Sequence, residues 1–462
     1  MSLILERENM KRKYLQLLAA LACCVAAHPP QPAYAQAGLT DEQRSAAKSL
    51  ADSGTLAPEL RLSAQDMAWW RDAKLGIFIH WGLYALPGKG EWHMYNDKVP
   101  AAEYAKLAKD FHPAHFRPEG WAALAKDAGA RYMVMTARHH DGFAMFDSPS
   151  SYGNYDSMHA AAHTDFIAGY TRAARAQGLK VGIYYSPMDW RFPGYFAPRE
   201  LADNAALMKQ QGYGQVRELM SNYGQVDILW YDGGWLAHQG SDADAAWFWQ
   251  PELLNKMVRG YQPKVVINPR SGWQGDFDTE EGDAPITGPV RAKPWEKTFS
   301  LSFRAWGYTP GGGAMAPERA IRLIVDAVTR NGNVLANMSP DPDGDIPVDQ
   351  VATLRALGAW MSRNGASLQD TRPGPYQPVD GVYGSTVKGR DVYLHVLAWP
   401  QQRLNLPPLA QRIVAATRMD GRKVWFEQTA GGVSVEVPAD QRDPVDTVIR
   451  LEMAAAVPSL AP

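Results

Sequence analysis

The sequence predicts an α/β chain built as a (β/α)8-like, TIM-type barrel, with irregularity allowed for, followed by a C-terminal antiparallel β-sandwich. Three observations predict it. Between about residues 70 and 365, short apolar runs alternate with amphipathic helical stretches, the pattern of βαβ units on a parallel sheet. Nearly every apolar run closes on a His, Asp, Arg or aromatic residue, as strands do at the C-terminal face of a barrel. Beyond Thr371-Arg372-Pro373-Gly374-Pro375 the chain turns into short strand-like runs separated by Gly and Asp-Gly turns.

The elements follow in order. Residues 1–35 read as a signal peptide: Lys11, Arg12 and Lys13 precede an apolar run from Leu15 to Ala27, and Ala33-Tyr34-Ala35 supplies small residues around a cleavage point. That run is shorter than the roughly 20 apolar residues a bilayer needs, so no transmembrane segment is expected. Residues 36–68 form a polar, helix-leaning N-terminal extension. The barrel is assigned to 69–368. Its strand-like runs are Leu75–His80, Tyr132–Ala137, Val181–Ser186, Val226–Asp232, Val265–Asn268 and Asn333–Met338. Helical spacing marks Pro118–Gly129, Asp165–Gly178, Leu207–Gly224 and Pro317–Asn331. No Gly-rich nucleotide loop follows the first strand, which argues against a doubly wound open sheet. The sandwich is assigned to 369–462, with runs at Asp391–Ala398, Arg412–Thr417, Lys423–Gln428, Gly432–Val437 and Thr447–Glu452.

Composition narrows the function. A formal net charge of -2, with no basic stripe or acidic tail, argues against nucleic acid or an anionic membrane as partner. Both cysteines, Cys23 and Cys24, lie in the leader, so the exported chain has no disulfide or thiol chemistry. Sixteen Trp and twenty Tyr give many flat apolar faces with a polar handle, suited to core filling and to stacking on sugars.

The chemistry sits where the strands end. The first run ends in His80 and Trp81, the second in Arg138-His139-His140-Asp141-Gly142, the third in Tyr184-Tyr185-Ser186 with Asp189 and Trp190 beyond. The fourth ends in Trp230-Tyr231-Asp232-Gly233-Gly234 and the fifth in Asn268-Pro269-Arg270. Side chains alternate along a strand, so Ile228, Trp230 and Asp232 share one face and Asp232 reaches the mouth if that face is inward. A second carboxylate is offered by the loop Gly275–Asp283, which holds Glu280 and Glu281. Glu296 is a third candidate. Two facing carboxyl groups are what glycoside hydrolysis requires.

Taken together, these segments resemble the retaining α-L-fucosidases of glycoside hydrolase family 29. The resemblance runs from about Trp69 to the end. It is carried by Gly76-Ile77-Phe78-Ile79-His80-Trp81-Gly82, Glu91-Trp92, Arg138-His139-His140-Asp141-Gly142-Phe143 and Tyr184-Tyr185-Ser186, then by Trp230-Tyr231-Asp232-Gly233-Gly234 and Trp306-Gly307-Tyr308. It implies Asp232 as nucleophile and, from the Thr279-Glu280-Glu281 spacing, Glu281 as acid/base. It implies sugar contacts from His80, Glu91, Trp92, His139, His140, Tyr184, Trp230, Arg270 and Trp306. Imidazoles suit hydroxyls, and Trp230 and Trp306 would cover the methyl group and apolar ring faces. Arg270 would orient the nucleophile and favour its ionised form. The implied activity is exo-hydrolysis of terminal α-L-fucosyl linkages, by double displacement, on a fucosylated oligosaccharide or glycoconjugate. The carboxyl groups should then lie roughly 5–5.5 Å apart.

No metal and no cofactor are expected. A zinc site from His80, His139, His140, Asp141 and Asp232 is the competing arrangement, although no His-x-His or His-Glu-x-x-His spacing is present. Two further readings compete with fucoside hydrolysis: a non-catalytic sugar-binding protein and an α-L-galactoside preference. The leader implies an exported protein, periplasmic or secreted. Homo-oligomerisation is left open.

Overall fold

The computed structural model describes residues 57–461 apart from Gly234. The leader, most of the N-terminal extension and the second glycine after Asp232 lie outside the described residues. The barrel and the C-terminal sheets belong to one compact unit.

Eight strands form one curled parallel sheet: β1 Leu75–Ile79, β2 Tyr132–Arg138, β3 Lys180–Tyr185, β4 Ile228–Tyr231, β5 Val266–Ile267, β6 Asp278–Glu281, β7 Trp295–Ser300 and β8 Gly332–Met338. Their order is β5-β4-β3-β2-β1-β8-β7-β6. β1 is buried along its whole length, as a strand covered on both faces must be. Alternation divides its two faces. Phe78 joins Tyr132, Val134, Tyr184, Ile228, Trp230, Val266 and Leu335 in the barrel interior. Ile77 and Ile79 join Met133, Ile183, Leu229 and Ala336 in the core beneath the helices. Gly76 faces the interior, where a Cβ would lie 2.2 Å from the Tyr132 ring, so this ring fills the volume that a side chain would take.

Six helices cover the sheet: α1 Pro118–Asp127, α2 Phe166–Ala176, α3 Ala202–Asn222, α4 Pro251–Tyr261, α5 Pro317–Thr329 and α6 Val348–Asn364. The Asp165 side chain caps α2 by accepting from the Ala168 N–H. The irregularity is now specific. Neither the β5–β6 nor the β6–β7 connection contains an α-helix, and β5 and β6 share no ladder. The seam between them is crossed at its base, where Asp276 N–H donates to the Ile267 carbonyl at 2.8 Å and the Asp276 carboxylate accepts from Ile267 N–H at 2.9 Å.

One expectation is corrected here. The stretch read as an acidic loop, Gly275–Asp283, contains β6, paired in parallel with β7. β6 carries charge at three of its four positions and β7 at two of six, and each charge is met: Asp278 by Lys293, Glu280 by Lys297 and Arg291, Glu281 by Arg270, and Glu296 by the Tyr132 hydroxyl and the Trp230 N–H.

Eight further strands follow the barrel: β9 Arg372–Pro373, β10 Tyr383–Lys388, β11 Asp391–Val396, β12 Arg403–Leu406, β13 Ile413–Arg418, β14 Trp425–Thr429, β15 Gly432–Glu436 and β16 Thr447–Met453. They form a five-stranded sheet, β13-β16-β11-β10-β9, and a three-stranded sheet, β12-β15-β14. All their pairings are antiparallel. Val392, Leu394, Leu404, Val433, Val435 and Leu451 help to form a core of their own.

Candidate active site

The strand ends converge on Asp232, which follows β4 and is tied to β3 by its N–H donating to the Tyr185 carbonyl at 3.1 Å. Gly233 then turns the chain with φ +62°, and a Cβ there would lie 2.8 Å from Met188 and 2.9 Å from Trp235. Only glycine meets both demands cheaply. The Asp232 carboxylate is held on both oxygens. Arg270 Nη1 lies 2.7 Å from Oδ1. The Tyr184 hydroxyl donates to Oδ2, and His140 Nε2 stands 3.5 Å from that same oxygen.

Arg270 sits in a short 3-10 turn, Pro269–Ser271, directly after β5, with its side chain buried. The same Nη1 also bonds Glu281 Oε1. Two hydrogen bonds sharing one nitrogen place their acceptor oxygens no more than about 6 Å apart. Asp232 and Glu281, forty-nine positions apart in the chain, therefore face each other across one guanidinium.

Register separates the two adjacent glutamates. β6 pairs with β7 so that Thr279 lies beside Glu296, Glu280 beside Lys297 and Glu281 beside Thr298. Neighbours in a parallel sheet point to the same side, so Glu281 shares the inward face of Glu296, and Glu280 faces outward with Lys297. Glu280 is ion-paired to Lys297 at 2.7 Å and to Arg291. These cations outweigh its burial and hold its carboxyl below the usual range. Burial pushes the Glu281 carboxyl up, and the Asp232 charge adds to this, against the opposing pull of Arg270.

Around this pair lie the imidazoles. His80 Nδ1 bonds Asn337 Oδ1 of β8 at 2.8 Å, and burial pushes His80 down to about 4. His139 stacks on Tyr184 at 5.5 Å and 3°. His140 Nδ1 bonds Ser186 Oγ at 2.6 Å. Burial, aided by neighbouring positive groups, keeps His139 and His140 well below the ordinary histidine value, so all three rings are neutral near pH 7. Trp306 lies 5.3 Å from the His80 ring. Glu91 is buried and accepts the Gly307 N–H at 2.7 Å, which pins the segment carrying Trp306. Burial raises the Glu91 carboxyl, although backbone donors oppose it. Trp92 packs edge-on to His140 at 5.3 Å.

Trp230 lies beneath these groups, 2% exposed. Its ring stacks under Tyr184 at 5.9 Å and 12°, and the Arg270 guanidinium sits 5.9 Å from its centre. Its Nε1 donates to Glu296 Oε1 at 3.0 Å, while the Tyr132 hydroxyl donates to the other Glu296 oxygen. Glu296 is thus an interior prop for Trp230 rather than a group at the mouth. Burial, opposed by these two donors, pushes it up to about 7. In the unfolded chain it would titrate near 4.5. Between these values the unfolded state has already released the proton that the folded state retains, so the contribution falls as pH rises from 4.5 to 7. Glu296→Gln keeps an acceptor for Trp230 and does not titrate, so its melting temperature relative to wild type should be higher at pH 8 than at pH 5. Glu296→Ala, which strands the buried Trp230 N–H and leaves the Tyr132 hydroxyl only the Val334 carbonyl at 3.2 Å, should cost about 2 kcal/mol or more by denaturant unfolding at either pH.

The remaining carboxylates do not join the pair. Asp189 is locked by Arg138 and Arg191, each at 2.6 Å, which hold its carboxyl well below the ordinary range against its burial. Asp141 accepts from Phe143 N–H and the Tyr104 hydroxyl, and burial pushes it to about 6. One donor atom from each of His139, His140 and Asp232 lies within 4.8 Å of the others, close enough to hold a cation. Asp141 and His80 are not in that cluster, and Arg270 already neutralises the Asp232 charge. Trp190, noted in the sequence only as lying beyond the third strand, packs 5.2 Å from the His140 ring. Sequence reasoning missed Asn337, which sits inside an apolar run, and the loop residues His238, 5.3 Å from the Trp92 ring, and Trp235, 4.7 Å from His238, which have no motif of their own.

The comparisons with known proteins agree. The sequence profile of the α-L-fucosidase family matches residues 46–366. Tissue α-L-fucosidase of Bos taurus is 30% identical over 410 residues, 80% of this chain and 84% of that protein. The mouse enzyme is 28% identical over 429 residues, 84% of this chain and 90% of the mouse protein. Among solved structures, α-L-fucosidase isoenzyme 1 of Paenibacillus thiaminolyticus superposes with a TM-score of 0.75 at 34% identity, covering 84% of this chain and 99% of that one. A family 29 enzyme of Bacteroides thetaiotaomicron, trapped as a covalent intermediate with 2-fluoro-fucosyl fluoride, superposes with a TM-score of 0.78 at 28% identity, over 88% of this chain and 99% of that one. The chain belongs to the α-L-fucosidase family, glycoside hydrolase family 29, and is an α-L-fucosidase.

Proposed function

We propose that this α-L-fucosidase is exo-acting and removes terminal α-L-fucose with retention of configuration, through Asp232 as nucleophile and Glu281 as acid/base. The observation that carries the reading is the shared contact of Arg270 Nη1 with both carboxylates. Its limit of about 6 Å between the two oxygens fits the 5–5.5 Å spacing of retaining glycosidases and falls short of the 6.5–9.5 Å of inverting ones, which must leave room for a water.

In the first step an Asp232 oxygen attacks the anomeric carbon. The bond to the leaving oxygen breaks, and the proton on Glu281 moves to that oxygen. In the second, water attacks the fucosyl ester, Glu281 takes its proton and Asp232 is released. Arg270 and the Tyr184 hydroxyl hold the nucleophile in place from either oxygen. Neutral His80, His139 and His140 can each donate to and accept from sugar hydroxyls. His139 Nδ1 has no hydrogen-bond partner among the described residues, which leaves it for a ligand hydroxyl. Glu91 and Trp92 bound the hydroxyl side, with Glu91 also holding the Trp306 segment against the apolar face. Trp230 serves from below, as the floor on which Tyr184 and Arg270 rest. Export to the periplasm or beyond rests on the leader. Among the described residues no helix is long and apolar enough to cross a membrane.

The stereochemistry tests the mechanism directly. Proton NMR during hydrolysis of an aryl α-L-fucoside should show α-L-fucose first, with the β anomer growing in by mutarotation. First appearance of the β anomer would exclude double displacement.

A further inference from the structure

Asn337 is fully buried on β8, in register with Ser300 of β7 and Phe78 of β1, and so shares the inward face of Phe78. Its side-chain amide makes three hydrogen bonds. One end meets the Trp306 carbonyl at 2.7 Å and Ser300 Oγ at 3.2 Å. The other end meets His80 Nδ1 at 2.8 Å.

The partners decide which end is which. A carbonyl oxygen can only accept, so the atom facing Trp306 must be the amide nitrogen. Ser300 requires the same orientation, because its hydroxyl proton is spent on the Ala305 carbonyl at 3.0 Å and its oxygen is left to accept. The Asn337 oxygen therefore faces His80, and an amide oxygen has no proton to give. The hydrogen between them belongs to His80 Nδ1. A neutral imidazole carries one N–H, so Nε2 keeps a bare lone pair. The ring lies 5.3 Å from both Tyr184 and Trp306 and 5.7 Å from His139, among the rings that line the site.

We infer that Asn337 is a positioning residue that locks His80 as the Nδ1–H tautomer, so that Nε2 accepts and the fucose hydroxyl it meets must donate. A neutral histidine could serve either way, and its second hydrogen bond settles the choice before the sugar arrives. A fluoro or methoxy group at that sugar position brings no proton and leaves Nε2 unpaired, the kind of mismatch that hydrogen-bonding sites reject strongly. The same amide fastens His80 to the backbone of Trp306, which keeps the hydroxyl contact and the apolar face at one spacing. The inference rests on the reading that His80 contacts the sugar, and it adds the direction of that contact and the residue that sets it.

Nitrogen NMR of the full enzyme carrying isotopically labelled histidine reads the tautomer, with His80 assigned by the signals lost in His80→Gln. Nδ1 should be protonated and Nε2 bare. Saturating L-fucose should move the Nε2 signal while Nδ1 keeps its proton. A proton on Nε2 in the free enzyme would overturn the inference. The expected tautomer with an Nε2 signal indifferent to fucose would instead strike the contact reading, and the inference with it.

Asn337→Asp gives a second readout through pH. The new carboxylate still accepts from Nδ1, but it stabilises the imidazolium, whose Nε2 can only donate. In the wild type, burial holds His80 down at about 4, and Asp232, His139, His140 and Tyr184 are the ionisable groups around it. Those groups are common to both enzymes. Activity needs the neutral ring, so it is lost as pH falls through the His80 value. The acid limb of kcat/KM on an aryl α-L-fucoside should therefore lie about 1–3 pH units higher in Asn337→Asp. The position of that limb does not depend on how much of the variant is folded. A limb left at the wild-type position would overturn the inference.

Discussion

Replacing Asp232 by glycine should lower kcat on an aryl α-L-fucoside by on the order of 10⁴-fold or more, as loss of a covalent nucleophile does. The lesion should be open to chemical rescue. Glycine leaves space where the carboxylate stood, and Arg270, Tyr184 and His140 remain as an anion-binding ring around it. Azide placed there would attack the anomeric carbon from the vacated side and yield β-L-fucosyl azide, the inverted product. Mass spectrometry and NMR of the product check this. Activity near wild type without azide would show that some other carboxylate attacks.

Replacing Glu281 by alanine should produce a loss that depends on the leaving group. General acid assistance contributes about 10²–10⁴-fold. That range should be lost on fucosyl oligosaccharides, whose leaving alcohols need a proton, and most of it should be spared on aryl fucosides with acidic phenols. The pH profile gives an independent readout. In the proposed mechanism Glu281 acts first in its protonated form, and burial with the Asp232 charge raises its pKa. The wild-type kcat/KM should therefore persist to higher pH than an ordinary glutamic acid of 4.5 would allow, then fall as pH climbs through the raised value. That alkaline limb should vanish in Glu281→Ala. Glu280→Ala should behave otherwise: it removes the partner of Lys297, itself 1% exposed, and so should cost stability without any leaving-group dependence. The reverse pattern would exchange the two roles.

Both substitutions show which parts of the site could be read in advance. Asp232 was legible because β4 is an apolar run with clean alternation, and its last inward position is polar. The same logic found His80, His139 and Arg270 at the ends of β1, β2 and β5. β6 and β7 escaped because Asp278-Thr279-Glu280-Glu281 and Trp295-Glu296-Lys297-Thr298 lack the apolar signature of a buried strand. Their charges are compensated across the sheet, by Glu280 with Lys297 and by Glu296 with Tyr132 and Trp230. Pairing of that kind leaves no local pattern. Asn337 was hidden for the opposite reason: it lies in a strand buried throughout, where one polar residue reads as a satisfied core group. α4 and α6 were likewise absent from the sequence-derived helices, as were β9, β10 and β12 from the strands of the sandwich. The sequence also identified Trp230 as important without its depth, since burial beneath Tyr184 is a tertiary fact.

The break between β5 and β6 has an architectural consequence. Glu281 stands on a strand fastened by a ladder from one flank only, while Asp232 follows one fastened from both. Chain added on the free flank meets no neighbouring strand that must shift to admit it. Its main thermodynamic penalty is loop closure, which grows by only about 0.6 kcal/mol for each doubling of length. Such a barrel can lengthen the chain beside Glu281 and leave the strands that lead to His80, His139, His140 and Asp232 as they are.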